Sequence, residues 1–322
     1  MKKPEYALLS VHERNNLIEE EHFGIVLKYT DKEIKKIAGN SNGYPFFQRS
    51  CMKPLQLAAI SEILDNFEFT NEEIAVMSAS HSGEKFHIKA VSNILKKIGL
   101  TEENLLCPPQ MPLNRESRNG LIKRNEAPKA IHNNCSGKHA AMLAYCVLKG
   151  YEIKNYTELD HPLQKHILNF VAEICGQNLK ECEVSRDGCT LPVIATPLEN
   201  LAKGFLNVFK NHPKITNAVL ENPYFAGGHG RFDSEIMIAG GKNLIAKVGA
   251  GNICCVADLS ENSCYVVKVL DGDNVARGII LTEILKKEGK LPNIENSELE
   301  KMYSHDITDE TGFAVGKIKV MV

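Results

Sequence analysis

Alternating and continuous apolar runs near both ends of the chain predict the strands of one sheet. Residues 6–11 and 24–29 are rich in β-branched and aromatic side chains. They flank the polar stretch 13–21, which predicts a hairpin or two edge strands. Residues 247–256 and 263–270 predict two adjacent strands, and residues 316–321 are expected to rejoin the sheet. Strands from both ends can share one mainly antiparallel sheet, so we expect an α+β fold rather than a doubly wound parallel one.

Helical periodicity dominates the region between these strands. Apolar residues recur at helical spacing over residues 54–64 and 86–98, and continuously over residues 140–148. Further helices are expected over residues 160–175, with Asp160 as N-cap and Pro162 in the first turn, and over residues 195–209 and 275–287. Without an internal repeat or a clear linker, we expect residues 1–322 to form a single catalytic domain.

Composition limits the classes of partner. The chain has 322 residues, 43% hydrophobic and 24% charged, which is ordinary for a globular protein. Its net charge of −2 gives no reason to expect a nucleic acid or an anionic membrane surface as partner. No run approaches about 18 apolar residues and no signal peptide is evident, so a cytoplasmic location is expected. The ten cysteines lack C-x-x-C spacing and are expected to be reduced, mostly as small buried hydrophobes.

A serine and a lysine three positions apart are the first candidate for chemistry. Ser50 and Lys53 share one face if the backbone is helical. Pro54 restricts this segment to the first turn of a helix, so Ser50 should lie at a helix start. Burial and the positive end of the helix dipole both lower the pKa of a lysine, and a neutral amine can then deprotonate a hydroxyl. Because Ser-x-x-Lys is common by chance, a solvated helix face is the alternative.

Three further groups of residues each allow a functional and a structural interpretation when taken alone. Ser80 lies in a loop of small residues, where it could equally stabilise a turn. Cys135, Lys138 and Cys189 could hold a soft metal such as zinc, although buried free cysteines would give the same pattern. Lys268 ends a β-run and could either project into a site or be solvated on an edge.

Together these motifs resemble the rhizobial-type L-asparaginases, in the same order along nearly the whole chain. The matching blocks are Glu19-x-x-His22-x-Gly24, Arg49-Ser-x-x-Lys-Pro-x-Gln56, Ala79-Ser-His-Ser-Gly-Glu84, Asn134-Cys-Ser-Gly-Lys-His-Ala-Ala-Met-Leu143, Asp187-Gly-Cys189 and Lys268-x-x-Asp-Gly272. The block from Asn134 is the most specific. The chain departs from the pattern at Cys51, an extra thiol beside the serine, and at Gly251-Asn252.

The resemblance implies a fold similar to serine β-lactamases and glutaminases, assembled as a homodimer. It implies two catalytic Ser-Lys pairs, Ser50 with Lys53 and Ser80 with Lys268. It also implies a zinc ion held by Cys135, Lys138 and Cys189.

The expected reaction is hydrolysis of L-asparagine to L-aspartate and ammonia. In this hypothesis Lys53 takes the Ser50 proton, Ser50 attacks the amide, and backbone N–H groups near it stabilise the oxyanion. Arg49 and Asp187 are candidates for substrate contacts. The alternatives are a glutaminase, a β-lactam-reactive serine hydrolase, or a metal- or amino-acid-binding protein whose Ser-Lys pairs are vestigial.

Overall fold

An antiparallel sheet of eight strands forms the centre of the computed structural model, which describes residues 2–322. The strands of the chain are β1 Ala7–Arg14, β2 Leu17–Thr30, β3 Ile34–Ala38, β4 Phe46–Phe47, β5 Val184–Arg186, β6 Pro192–Thr196, β7 Leu244–Gly249, β8 Ile253–Asp258, β9 Ser263–Val269, β10 Asp306–Thr308 and β11 Ala314–Val320. The sheet order is β10-β11-β1-β2-β9-β8-β7, with β3 also paired to β2. Strands from the two ends of the chain therefore meet at β1 and β11, as predicted.

The N-terminal hairpin is confirmed, but its polar stretch is part of the strands. Strands β1 and β2 pair from Ala7↔Gly24 to Arg14↔Leu17. Asn15 and Asn16 form the turn with φ of 47° and 67°, the left-handed conformation that tight hairpins require. The polar stretch 13–21 continues both strands and forms their turn, because polar residues extend the hairpin past the core, where their side chains are mostly exposed.

Both faces of the sheet are buried, because consecutive residues of a strand point to opposite sides. Ile25 and Leu27 of β2 belong to one hydrophobic cluster, and Val26 between them belongs to a second. The α+β prediction with a mainly antiparallel sheet is confirmed. The expected single strand over residues 247–256 is instead two strands, β7 and β8, joined by a tight turn.

Helices cover both faces of the sheet. They are α1 Lys53–Ala59, α2 Ile63–Asn66, α3 Asn71–Met77, α4 Lys85–Lys97, α5 Arg115–Lys123, α6 Ser136–Lys149, α7 Pro162–Ile174, α8 Leu198–Asn211, α9 Pro213–Glu221, α10 Pro223–Ala226, α11 Phe232–Ala239, α12 Asn274–Lys287 and α13 Glu298–Met302. Helices α1, α3, α4, α6, α7 and α8 supply the first cluster, and α11 to α13 supply the second. Within residues 2–322 no helix is both long and apolar enough to cross a membrane.

Two predicted helix boundaries were wrong. The nitrogen Nδ1 of His161, not Asp160, caps α7 by accepting a hydrogen bond from the Leu163 N–H at 3.2 Å. Ala195 lies in β6 rather than in α8, because Pro192–Thr196 pairs with β4 and β5 in a small second sheet. This small sheet brings the segment after β4 close to the segment between β5 and β6, and both segments carry predicted site residues.

Candidate active site

Ser50 lies in a single 3₁₀ turn, Arg49–Met52, that leads directly into α1. Pro54 occupies the first turn of α1, as its missing N–H requires. Arg49 has φ of 49°, a left-handed conformation that is uncommon for a non-glycine residue and concentrates at functional sites. The Ser50 side chain is half-buried, and its hydroxyl makes no hydrogen bond to any residue from 2 to 322.

The Lys53 amine is held against the hydroxyl of Ser80. Its Nζ lies 2.8 Å from Ser80 Oγ, 2.7 Å from the Ala79 carbonyl oxygen and 3.2 Å from the Asn134 carbonyl oxygen. Lys53 and Ser80 are 1% and 4% exposed, so these contacts are almost sealed from water. The structure therefore brings together Lys53 of one predicted pair and Ser80 of the other.

Burial lowers the pKa of Lys53 to about 8. The nearby cations Lys138 and Lys247 also lower this pKa, whereas the Cys135 and Cys189 sulfurs raise it. A neutral amine has two N–H donors and one lone pair. Two backbone carbonyls take the donors, so the lone pair is left to accept the Ser80 O–H. This is the arrangement of a general base and the hydroxyl that it deprotonates.

Lys268 contacts backbone rather than Ser80. Its Nζ donates to the Val269 carbonyl at 2.8 Å and to the Gly251 carbonyl. Within the described chain no hydrogen bond joins Lys268 to Ser80, so the predicted pairing of these two side chains is replaced by the contact between Lys53 and Ser80. The reason is topological, since Lys268 is the last but one residue of β9 and lies opposite Ile253, beside the turn that contains Gly251. Burial lowers the pKa of Lys268.

The three predicted metal ligands are brought together. Cys135 and Lys138 lie at the start of α6, and Cys189 follows β5. Lys138 Nζ lies 3.2 Å from Cys189 Sγ, and all three side chains are buried. The Cys135 thiol donates to Asn134 Oδ1 at 3.0 Å and is near enough to Cys189 for the two sulfurs to shift each other's pKa. A cluster of two sulfurs and one amine therefore forms from two segments about 50 residues apart in the sequence.

The three side chains of this cluster shift one another's pKa values. The Cys135 thiol holds the pKa of Cys189 well below its ordinary value, and Lys138 and His139 act in the same direction against burial. The same contact, together with burial, raises the pKa of Cys135. Burial lowers the pKa of Lys138, but the Cys189 and Cys135 sulfurs and the Asp187 carboxylate outweigh burial and raise it. Cys189 and Lys138 thus each favour the charged form of the other, since Lys138 lowers the pKa of Cys189 and Cys189 raises the pKa of Lys138.

Arg49 and Asp187, the predicted substrate contacts, bind each other. Asp187 Oδ1 accepts hydrogen bonds from Arg49 Nε at 2.9 Å and from the Gly188 N–H at 2.8 Å. This contact joins the residue before Ser50 to the turn that carries Cys189. Cys51, the extra thiol, is fully buried and donates to the Lys247 carbonyl at 3.1 Å, so it faces the sheet.

Two residues of the Asn134 block have contacts that the sequence did not predict. The Asn134 carbonyl accepts from both Lys53 Nζ and the His81 N–H, which closes the pocket around the amine. His139 binds the Tyr156 hydroxyl at 2.7 Å through Nδ1, and its ring also helps to lower the pKa of Cys189. The only sequence signal for either was membership of the block.

The chain is similar to known proteins at two levels, a family model and a solved structure. A family model described as L-asparaginase II matches residues 11–320. Among solved structures, the chain is similar to a protein provisionally assigned as a beta-lactamase from Bacteroides dorei DSM 17855. The two chains have 12% sequence identity and a TM-score of 0.45, and the aligned region covers 82% of this chain and 93% of the other. No curated protein matches the chain.

The family match covers nearly the whole chain, including every residue of the site described above. It places the protein in the class of amidohydrolases. The chain belongs to the L-asparaginase II family.

Proposed function

We propose that this protein hydrolyses the side-chain amide of L-asparagine to L-aspartate and ammonia through a serine nucleophile. The observation that carries the proposal is the buried Lys53 amine, which is fixed by two backbone carbonyls and lies 2.8 Å from the Ser80 hydroxyl. Ser50 lies one helical turn before Lys53 and is more exposed than Ser80, so it is the hydroxyl that a substrate can reach.

In the first step Ser50 Oγ attacks the amide carbon, and its proton passes to the Lys53 amine with the Ser80 hydroxyl as the bridge. The tetrahedral intermediate collapses when the C–N bond breaks, and the same proton leaves with ammonia. Water then attacks the acyl ester, giving its proton to Lys53, and aspartate is released as the Ser50 hydroxyl is restored. Backbone N–H groups of the turn Arg49–Met52 are the candidate donors to the oxyanion.

The proposal includes the rhizobial-type subclass, with zinc held by Cys135, Lys138 and Cys189, in a cytoplasmic homodimer. The donor set fits zinc, because two sulfurs and a lysine nitrogen already lie together in a buried cluster, and metal binding would displace the proton of Lys138. At tetrahedral angles, sulfur and nitrogen ligands of zinc lie about 3.6 Å apart. The Lys138–Cys189 distance of 3.2 Å is close to that spacing. When bound, zinc would supply a positive charge that anchors the α-amino or carboxylate end of the substrate.

The test is ammonia release by purified protein from L-asparagine and L-glutamine, with hydrolysis of a chromogenic β-lactam measured in parallel. Ser50→Ala should abolish turnover. Ser80→Ala should slow it by about 10²- to 10⁴-fold, the usual contribution of a positioned proton carrier. Ser78→Ala is the matched control, since this buried hydroxyl donates only to the Ala75 carbonyl. The control should keep the wild-type rate.

Mass spectrometry of the quenched reaction separates the two serines. The proposal expects the acyl group on the peptide that contains Ser50, in the wild type and in Ser80→Ala. Acylation of Ser80 instead would reverse their roles. Stoichiometric asparagine binding without ammonia release would show a binding protein, and preferred hydrolysis of glutamine or the β-lactam would reassign the substrate.

A further inference from the structure

We propose that His12, Glu20 and His22 form a second metal site, which takes a divalent transition metal. The three side chains lie on the N-terminal hairpin, where His12 of β1 is directly opposite Glu20 of β2. Glu20 and His22 are two residues apart on one strand and therefore point to the same face. This register places three potential ligands around one point on the sheet.

The distances between ligand atoms suit one small ion. His12 Nδ1 lies 2.9 Å from Glu20 Oε2, and His22 Nε2 lies 3.5 Å from the same oxygen. One ligand atom from each residue fits within a mutual separation of 4.8 Å. Nitrogen and oxygen ligands at about 2.0–2.2 Å from a tetrahedral ion are about 3.3 Å apart, so only small rotations are needed to bind one.

Asp271 orients His22 as a carboxylate orients a metal-bound imidazole. Asp271 Oδ2 lies 2.9 Å from His22 Nδ1, and it accepts the proton of that nitrogen. The lone pair of the neutral ring is then on Nε2, which is buried, has no hydrogen-bond partner and faces the Glu20 oxygen. His22 is only 4% exposed, whereas the Glu20 side chain is 55% exposed, so the two acceptors meet at the solvent-facing edge of the hairpin. A cation between them would bind both, as in carboxylate–histidine–metal groups.

The ligand set selects the class of metal. Two imidazoles and one carboxylate favour zinc or another late divalent transition metal over calcium or magnesium, which prefer oxygen ligands. A fourth position can remain for water, because His12 and Glu20 line an open cavity of about 540 Å³ together with Met302, Ile307 and Ile318. Arg14, which lines the same cavity, is occupied by Glu19 at 3.0 Å. The site shares no residue with the Ser-Lys pair or the thiol cluster, so it does not rest on the proposed function.

The experiment is zinc stoichiometry on the full chain after chelation, dialysis against zinc and desalting. A C135S/C189S variant removes the thiol ligands and should still bind one zinc per chain. Adding Glu20→Gln should abolish that zinc, whereas Glu21→Gln should retain it. Glu21 is a matched control, because it is exposed on the same strand but points to the opposite face. Asp271→Asn should weaken binding by about 10- to 100-fold, as the loss of an orienting partner usually does.

Cobalt titration of the unmutated protein covers the case in which the thiol variant does not fold. Cobalt bound by thiolates gives intense sulfur-to-metal absorption, whereas cobalt bound by imidazole and carboxylate does not. A cobalt equivalent that binds without this absorption, and that Glu20→Gln removes, supports the hairpin site. The proposal is overturned if only thiolate-bound cobalt appears, or if the zinc of C135S/C189S is unchanged by Glu20→Gln.

Discussion

Arg49 binds Asp187 through two nitrogens, with Nε and Nη2 at 2.9 Å and 2.8 Å from the same Oδ1. The Asp187 side chain is 12% exposed, so the contact is largely shielded from water. Arg49 precedes Ser50 and has a positive φ, while Asp187 starts the turn to Cys189. The ion pair therefore fixes the turn that carries the proposed nucleophile, Ser50, against the segment that carries a proposed metal ligand.

Asp187→Asn should lower kcat/KM for asparagine by about 10- to 100-fold. A hydrogen bond to a charged group contributes about 1.5–3 kcal/mol, and its loss frees a turn that is held in an unfavourable backbone conformation. Steady-state ammonia release measures the effect. Glu126→Gln, which breaks the exposed Arg124–Glu126 pair, is the control and should have no effect. An unchanged rate in Asp187→Asn would show that the pair does not position Ser50.

The pH dependence of turnover should report the Lys53 amine. Burial lowers its pKa to about 8, and only the neutral amine can accept a proton. The rate should therefore rise with pH through about 8, as Lys53 loses its proton. Lys53→Arg should be inactive across this range, because a guanidinium stays charged. The pH profile of kcat/KM tests this, and a rate that falls between pH 7 and 9 would argue against Lys53 as the base.

Cys189→Ser should remove zinc from the thiol cluster. The cluster lowers the pKa of Cys189, which favours the thiolate that zinc binds, and serine supplies no comparable ligand at neutral pH. Metal analysis of desalted protein should show one zinc fewer per chain than in the wild type. Cys182→Ser is the matched control, since this thiol lies in the same region but outside the cluster and donates to the Asn178 carbonyl. Equal zinc content in the two variants would exclude Cys189 as a ligand.

Gly137→Ala should destabilise the protein, although alanine normally favours a helix. A Cβ on Gly137 would lie 2.2 Å from the Val76 carbonyl oxygen, so α6 could not pack against the end of α3 that leads to Ser80. Overpacking of this kind costs about 1–3 kcal/mol. Urea denaturation measures the free energy of unfolding. Gly120→Ala in α5 would meet only the flexible Arg124 side chain and should be neutral or stabilising.

Periodicity and turn chemistry were sufficient to predict the sheet and most helices. Residues 25–27 alternate in space between two cores, yet all three are apolar, and this continuous apolar run is visible in the sequence. The strand end at Ala195 was missed because an isolated apolar run does not distinguish a short buried strand from a helix. The pairing partner, β4 or β5, decides this, and partners come from distant segments.

The order of the motifs along the chain predicted which residues belong to the candidate site, but not which of their side chains contact each other. Ser50 and Lys53 are close in sequence, and local geometry suggested that they would interact. The contact of Lys53 with Ser80 depends instead on the path of the chain after α3, which brings residues 27 positions apart together. The contact of His22 with Asp271, 249 positions apart, was beyond any local argument for the same reason.

The buried pair between Lys247 and Asp233 should be the most sensitive ionic contact of the fold. Lys247 Nζ lies 2.9 Å from Asp233 Oδ2, and the two side chains are 4% and 1% exposed. Lys247→Met leaves the carboxylate without its partner, and removing one member of a buried pair costs about 3–5 kcal/mol. The double variant Lys247→Met/Asp233→Leu should recover most of that loss, because no unpaired charge remains.

The pH dependence of the free energy of unfolding should also change in the Lys247→Met variant. Burial raises the pKa of Asp233, but Lys247 and the nearby arginines outweigh burial and lower it. A carboxylate with a lowered folded-state pKa contributes stability above its unfolded pKa, and that contribution is lost as pH falls through the folded value. In Lys247→Met the folded pKa of Asp233 rises, so this contribution is already lost at neutral pH, and the stability deficit of the variant relative to the wild type should shrink as pH falls and Asp233 takes up a proton. Lys214→Met, which breaks an exposed pair with Asp65, should shift neither the urea midpoint nor the acid transition.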